Sequence, residues 1–255
     1  MQHHSGPHGS RRAATGAPHH EGSSPVSAVD RASHSDLVLR SPPEAGVSKD
    51  GGRHTASFNH QSETGRIGPN AIIQTAEALR LLRGGRDARG VFAAARLEPY
   101  LASPPADMVD ETEVIRLYRA LRATLDDDAA RAVSLKAGQL TALYLLAHRI
   151  PKPAQRVLRV LPARLASHAL SRAISAHAWT FAGTGIFTSR PGRPTVYEIR
   201  HCPLCRGQGT DHSICDFYAA TFETLFARLV HRNARAREIS CEAAGASACR
   251  FVIDW

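Results

Sequence analysis

The sequence predicts an α+β fold, an N-terminal helical half (65–175) followed by a ββαββ module (176–255) with an antiparallel sheet. Three observations carry that prediction. Up to about residue 175, apolar residues recur at helical spacing. Beyond it, short alternating runs bounded by turn residues take over, interrupted by one amphipathic run. Four soft or anionic side chains, Cys215, Glu238, Cys241 and Cys249, fall where that run and the last hairpin should meet.

Residues 1–62 are rich in His, Ser, Gly, Pro and Ala, with Leu37-Val38-Leu39 as a lone apolar piece. Such a segment cannot bury enough surface to offset its ordering entropy, so a disordered tail is expected. Order should begin at Gly65-Arg66-Ile67-Gly68-Pro69-Asn70, opening a single domain over 63–255. The spacing predicts a helix over 71–82 that ends at Gly84-Gly85, then a short helix over 87–95 and a loop over 99–105. Residues 111–125 set Val114, Leu117, Tyr118 and Leu121 on one helical face. Asp126-Asp127-Asp128 offers an N-cap for a long helix to Leu145 or His148, which Pro151 and Pro153 stop. Another helix is expected over 154–174.

The period then changes to two. Trp179, Phe181, Gly183, Gly185 and Phe187 alternate as in a strand, Arg190-Pro191-Gly192-Arg193-Pro194 turns the chain, and 195–200 is the partner strand. A polar loop over 201–211 carries Cys202 and Cys205. Asp211 or Ser213 caps a helix to about His231, and 234–241 with 248–254 form a closing hairpin.

The net charge of +9 comes almost wholly from arginine, since Lys49, Lys136 and Lys152 are the three lysines. No basic block is interleaved with aromatics, so a nucleic-acid surface is not expected. No stretch approaches the roughly 18–20 apolar residues that span a bilayer, and no signal-peptide core opens the chain. Five cysteines without an export signal suit a reducing compartment, and hence metal or thiol chemistry in a cytoplasmic protein.

Positions 215, 238, 241 and 249 are separated by 23, 3 and 8 residues. Cys215 opens a helix, Glu238 and Cys241 end one strand, and Cys249 opens the next. One tetrahedral ion could join all three elements, and four protein ligands would leave no open position for water, which makes such an ion structural. Ordinary buried cysteines would look the same in sequence. Cys202-Pro203-Leu204-Cys205 also has the spacing of a zinc knuckle and could pair with Cys241 and Cys249 instead.

Cys215 at a helix start, with Glu238-x-x-Cys241 and then Cys249-x-Phe251, resembles the 4-vinyl reductase domain family. Gly65-Arg66-Ile67-Gly68-Pro69-Asn70-Ala71-Ile72 and Trp179-Thr180-Phe181-Ala182-Gly183-Thr184-Gly185 resemble its branch in the bacteriochlorophyll synthesis of phototrophic bacteria; the likeness spans about 65–254. It implies an α/β fold related to a trafficking-complex subunit. It also implies a structural Zn²⁺ on Cys215, Glu238, Cys241 and Cys249, as in the family's sensor branch, which favours that set over the knuckle pairing. The role implied is at the vinyl-reduction stage, on a divinyl (proto)chlorophyllide.

Whether the chain itself reduces that vinyl group is a separate question, and its catalytic residues are not identifiable. No Gly-x-Gly-x-x-Gly joins a strand to a helix, and no cysteine spacing suggests an iron–sulfur cluster. A closed zinc supplies no electrons, and the sensor branch binds flat apolar ligands without transforming them. A tetrapyrrole carrier or accessory protein is therefore preferred to the alternative, the reductase itself working with an external electron donor. A Mg-chlorophyllide needs apolar walls, a cation for its carboxylate and an axial ligand. Leu140, Tyr144, Ile174, Trp179, Phe181, Phe187 and Tyr197 are candidate walls, although a plain core would show the same pattern. His148, His168 and His177 are candidate Mg²⁺ ligands, and Arg149, Arg172 and Arg200 candidate carboxylate partners. The partners implied are this tetrapyrrole and other bacteriochlorophyll-synthesis enzymes, with a homodimer by analogy to the sensors.

Overall fold

The structure is a computed structural model and describes residues 65–255; the tail expected over 1–62 lies outside them. β1 (Arg66–Ile67) pairs antiparallel with β2 (Val109–Asp110). Between them, α1 (Asn70–Ala94) contains both helices expected over 71–95, bent at Gly84, where φ is 83°. α2 (Pro99–Ala102) is a single turn inside the segment expected to be a loop. The acidic caps act as the sequence indicates. Asp110 accepts from the Thr112 N–H at the start of α3 (Glu111–Thr124), and Asp126 accepts from the Ala129 N–H at the start of α4 (Asp127–Tyr144).

α4 continues into a π-helical turn over Leu145–Arg149. The helix expected over 154–174 is two, α5 (Lys152–Val160) and α6 (Ala163–Ala176). Pro162 explains the break: the residue before a proline is driven out of the helical region, and Leu161 has ψ 148°.

The strand expected over 179–187 is corrected by the structure. Trp179–Ala182 form a helical turn, α7, and β3 occupies Ile186–Arg190. The carbonyls of the turn are taken by other elements, Thr180 O by the Gly68 N–H at 2.7 Å and Phe181 O by the Tyr218 hydroxyl at 2.7 Å. Gly183 ends the turn with φ 59°, and a Cβ there would lie 2.1 Å from Glu111 Oε2, so a side chain fits neither the conformation nor the space.

β3, β4 (Thr195–Arg200), β5 (Arg235–Ser240) and β6 (Cys249–Asp254) form one antiparallel sheet in the order β3-β4-β6-β5. α8 (Asp216–Leu229) packs on it, and a layer of rings fills the interface. Phe222 lies 4.9 Å from Tyr197, 5.5 Å from Phe251 and 6.3 Å from both Phe181 and Phe187, centroid to centroid. α8 also joins the sheet to the helices. Gly138 of α4 faces it so closely that an added Cβ would come within 2.2 Å of Phe217 O. Among the described residues, no helix is long and apolar enough to cross a membrane.

Candidate metal centre

Cys215 is the N-cap of α8, Cys241 follows β5 directly, and Cys249 is the first residue of β6. Glu238 and Cys241 are three residues apart, which on a regular strand would aim them at opposite faces. A register shift between Glu238 and Ser240 solves this: Glu238 pairs with Phe251 and Ser240 with Arg250, leaving Ile239 as the extra residue of a bulge. The bulge brings the carboxylate and the thiol to the same side. Ile239, half exposed, is turned outward by it.

The Cys215 Sγ lies 3.6 Å from Cys249 Sγ and 3.9 Å from Cys241 Sγ, and the last two are 3.8 Å apart. Sulfurs about 2.3 Å from one tetrahedral ion sit roughly 3.8 Å from each other. One carboxylate oxygen of Glu238 and the three sulfurs all fall within 4.8 Å of one another. Glu238 Oε2 accepts from the Cys215 N–H at 2.7 Å, whereas Oε1 is buried with no hydrogen-bond partner. A buried acceptor left open among three thiols is what a metal ligand looks like without its ion. The Glu242 N–H donates to Cys249 Sγ at 3.4 Å, as backbone amides do to metal-bound thiolates. The cluster can therefore hold a metal ion through all four residues expected from the sequence.

The electrostatics agree. Burial pushes the Cys215 and Cys202 thiols up, since an unpaired thiolate there would be unsolvated. Burial, with the neighbouring Cys241, pushes the Glu238 carboxyl up to about 8. A cation is the species that makes these groups stable as anions.

Cys202 and Cys205 join the same cluster. Cys202 Sγ is 3.6 Å from Cys215 Sγ, and Cys205 Sγ is 3.4 Å from Cys249 Sγ. All five thiols are free and buried. Their loop is held by residues that sequence reasoning missed. The Glu242 carboxylate accepts from the N–H groups of His201 and Cys202, both at 2.7 Å. Arg206 donates to His201 O and, at 2.7 Å, to Glu111 Oε1; Arg122 donates to Ile214 O. Adjacency to Cys241 and Cys205 was the only signal for Glu242 and Arg206.

The aromatic and histidine candidates fall into two groups. Phe181, Phe187 and Tyr197 come together in the ring cluster, with Tyr197 fully buried and its hydroxyl 2.8 Å from Ser171 Oγ. Leu140 and Ile174 are half-buried. Trp179 is exposed, as are His148, His168 and His177. Tyr144 packs on His148 at 4.9 Å, away from the other rings. His168 and His177 each donate Nδ1–H to a carbonyl of α6, Arg164 O and Ala173 O, at 2.8 Å. Arg149 and Arg172 are exposed, and Arg200 pairs with Glu198 at 3.1 Å. Two clefts of about 460 and 440 Å³ are lined by other residues, and the second runs past Asp127, Asp216 and His212 to Glu238.

Comparison with known proteins places the chain among relatives. The model of the 4-vinyl reductase domain matches residues 195–254. A "Bacteriochlorophyll synthase 23 kDa chain" from Cereibacter sphaeroides is 44% identical over 189 residues, 74% of this chain and 90% of that one. A protein with the same description from Rhodobacter capsulatus is 37% identical over 195 residues, 76% of this chain and 89% of that one. Among solved structures, an H-NOX protein from K. algicida aligns with 11% identity over 74% of this chain and 96% of its own, at a TM-score of 0.49, too distant to place a ligand.

Proposed function

This chain belongs to the family of the bacteriochlorophyll synthase 23 kDa chains, and on that premise we propose that it binds a divinyl (proto)chlorophyllide-type tetrapyrrole and carries it at the vinyl-reduction stage of bacteriochlorophyll synthesis. One observation carries the choice of carrier over reductase. The cysteine–glutamate centre offers four protein ligands to one ion, all from buried or half-buried positions. Zn²⁺ suits three thiolates and a carboxylate, has no redox chemistry, and in a four-ligand site keeps no position for substrate. The sheet supports the same choice: it is antiparallel throughout, whereas a nicotinamide crevice forms at the switch point of a parallel one.

The ligand face is proposed at α6, α7 and the start of β3, where exposed Trp179 and Ile186 stand beside half-buried Phe181 and Phe187. His177 lies two residues before Trp179. With its Nδ1–H given to Ala173 O, its Nε2 lone pair is free to take the axial position of a chlorophyllide Mg²⁺. Phe181 and Phe187 supply apolar wall, and the fully buried Tyr197 supports them from behind. The other chains of the pathway are the partners that would deliver or receive the pigment.

Titration of the purified full chain with divinyl protochlorophyllide tests this. The expected result is one pigment per chain with a shifted absorption band, weakened at least tenfold in His177→Ala. No shift at micromolar pigment would overturn the carrier reading.

A further inference from the structure

Cys202 and Cys205 are the chemistry that a single four-ligand ion leaves unused. Their sulfurs, with those of Cys215 and Cys249, form a second set of four ligand atoms that all lie within 4.8 Å of one another. The two sets share Cys215 and Cys249, whose sulfurs are 3.6 Å apart. Two tetrahedra with ~2.3 Å metal–sulfur bonds can share an edge of that length.

We propose a second metal position, bound by Cys202, Cys205, Cys215 and Cys249, so that the centre holds two divalent zinc-class ions bridged by the thiolates of Cys215 and Cys249. The proposal goes beyond the single structural ion above and uses that ion's position as one half of the pair.

Three features support it. The Cys202 loop is fixed without any metal, by Glu242 on its backbone amides and by Arg206 and Arg122 on its carbonyls, so both sulfurs are aimed in advance. Both cysteines are at most 1% exposed, and a lone buried thiol pair beside three further thiols gains nothing from being left unligated. The charge favours two ions. Five thiolates and one carboxylate carry six negative charges, of which one divalent ion cancels two and a pair cancels four. Arg206 and Arg250, next in sequence to Cys205 and Cys249, lie near enough to offset part of the remainder. Binding is protonic, not redox: each thiol that enters the centre releases its proton as the metal–sulfur bond forms.

The test is metal stoichiometry on the full chain, purified under reducing conditions with zinc supplied. Two equivalents of Zn²⁺ per chain are expected, falling to one in Cys202→Ser/Cys205→Ser. Co²⁺ replacement reads the bridge without any substitution: cobalt added past one equivalent should lose paramagnetic signal per ion, because thiolate-bridged ions couple. One equivalent in the wild type, unchanged in the double variant, would overturn the second position and leave the first standing. One equivalent that vanishes in the double variant would place the ion on the Cys202 set and overturn the pair. No metal in the wild type would defeat both positions. An uncoupled second cobalt would overturn the bridge.

Discussion

The metal centre and the proposed ligand face sit on the same ββαββ module, yet they are built in opposite ways. At the centre every donor is aimed by backbone: a helix cap for Cys215, a bulge for Glu238 and Cys241, a strand start for Cys249, a pinned loop for Cys202 and Cys205. At α6–α7 the candidate side chains stand at the surface, and Trp179 is 56% exposed. One region is a finished site and the other a docking face. Rigid, preorganised ligands suit an ion that stays; an open apolar edge suits a pigment that must be taken up and handed on.

The metal side of this contrast is where a substitution should cost most. Cys249→Ser removes a ligand common to both four-atom sets, so all bound zinc should be lost, with about 4 kcal/mol of stability at zinc a thousandfold above its Kd. Thermal unfolding with and without chelator checks it: the chelator should lower the wild-type Tm and leave the variant's unchanged.

A smaller effect is expected from the support behind the Cys202 loop. Glu111 is buried, and burial alone would raise its pKa. The Thr184 hydroxyl and N–H and the Arg206 guanidinium outweigh burial and hold it below the ordinary value of 4.5. A carboxyl depressed on folding stabilises fully above its unfolded pKa and loses that contribution as pH falls through the folded one. Glu111→Gln should therefore cost roughly 1–3 kcal/mol at neutral pH and little at pH 3, as denaturant midpoints across that range would show.

The smallest stability change belongs to the ligand face. His177→Ala should leave stability within about 0.5 kcal/mol, as exposed positions usually do. Zinc content should stay at the wild-type level while pigment binding weakens. A variant that lost zinc as well would show the two regions to be one.

Much of this was legible in the sequence because it rests on short-range chemistry. Asp110 and Asp126 are caps where acidic residues precede apolar helical runs, and β4, β5, β6 and α8 fall within a few residues of where alternation and spacing put them. The misreadings came from long-range effects. Trp179 to Phe187 alternate like a strand, but Gly68 and Tyr218, distant in sequence, hold a helical turn there. The rings at 181 and 187 still share the core with Tyr197, since a turn followed by a strand can bury the same side chains. Within the site, the four ligand residues were visible as a spacing. That Cys202 and Cys205 join them, rather than compete for them, depends on Glu242 and Arg206 folding the loop inward, which no local pattern encodes.

Binding of the tetrapyrrole without its reduction can be tested by incubating the pure zinc-loaded chain with divinyl protochlorophyllide and either NADPH or reduced ferredoxin, then separating the pigments. Bound pigment with a shifted absorption band and its vinyl group intact is the expected result. Monovinyl product formed by this chain alone, in amounts exceeding the protein, would contradict the carrier role.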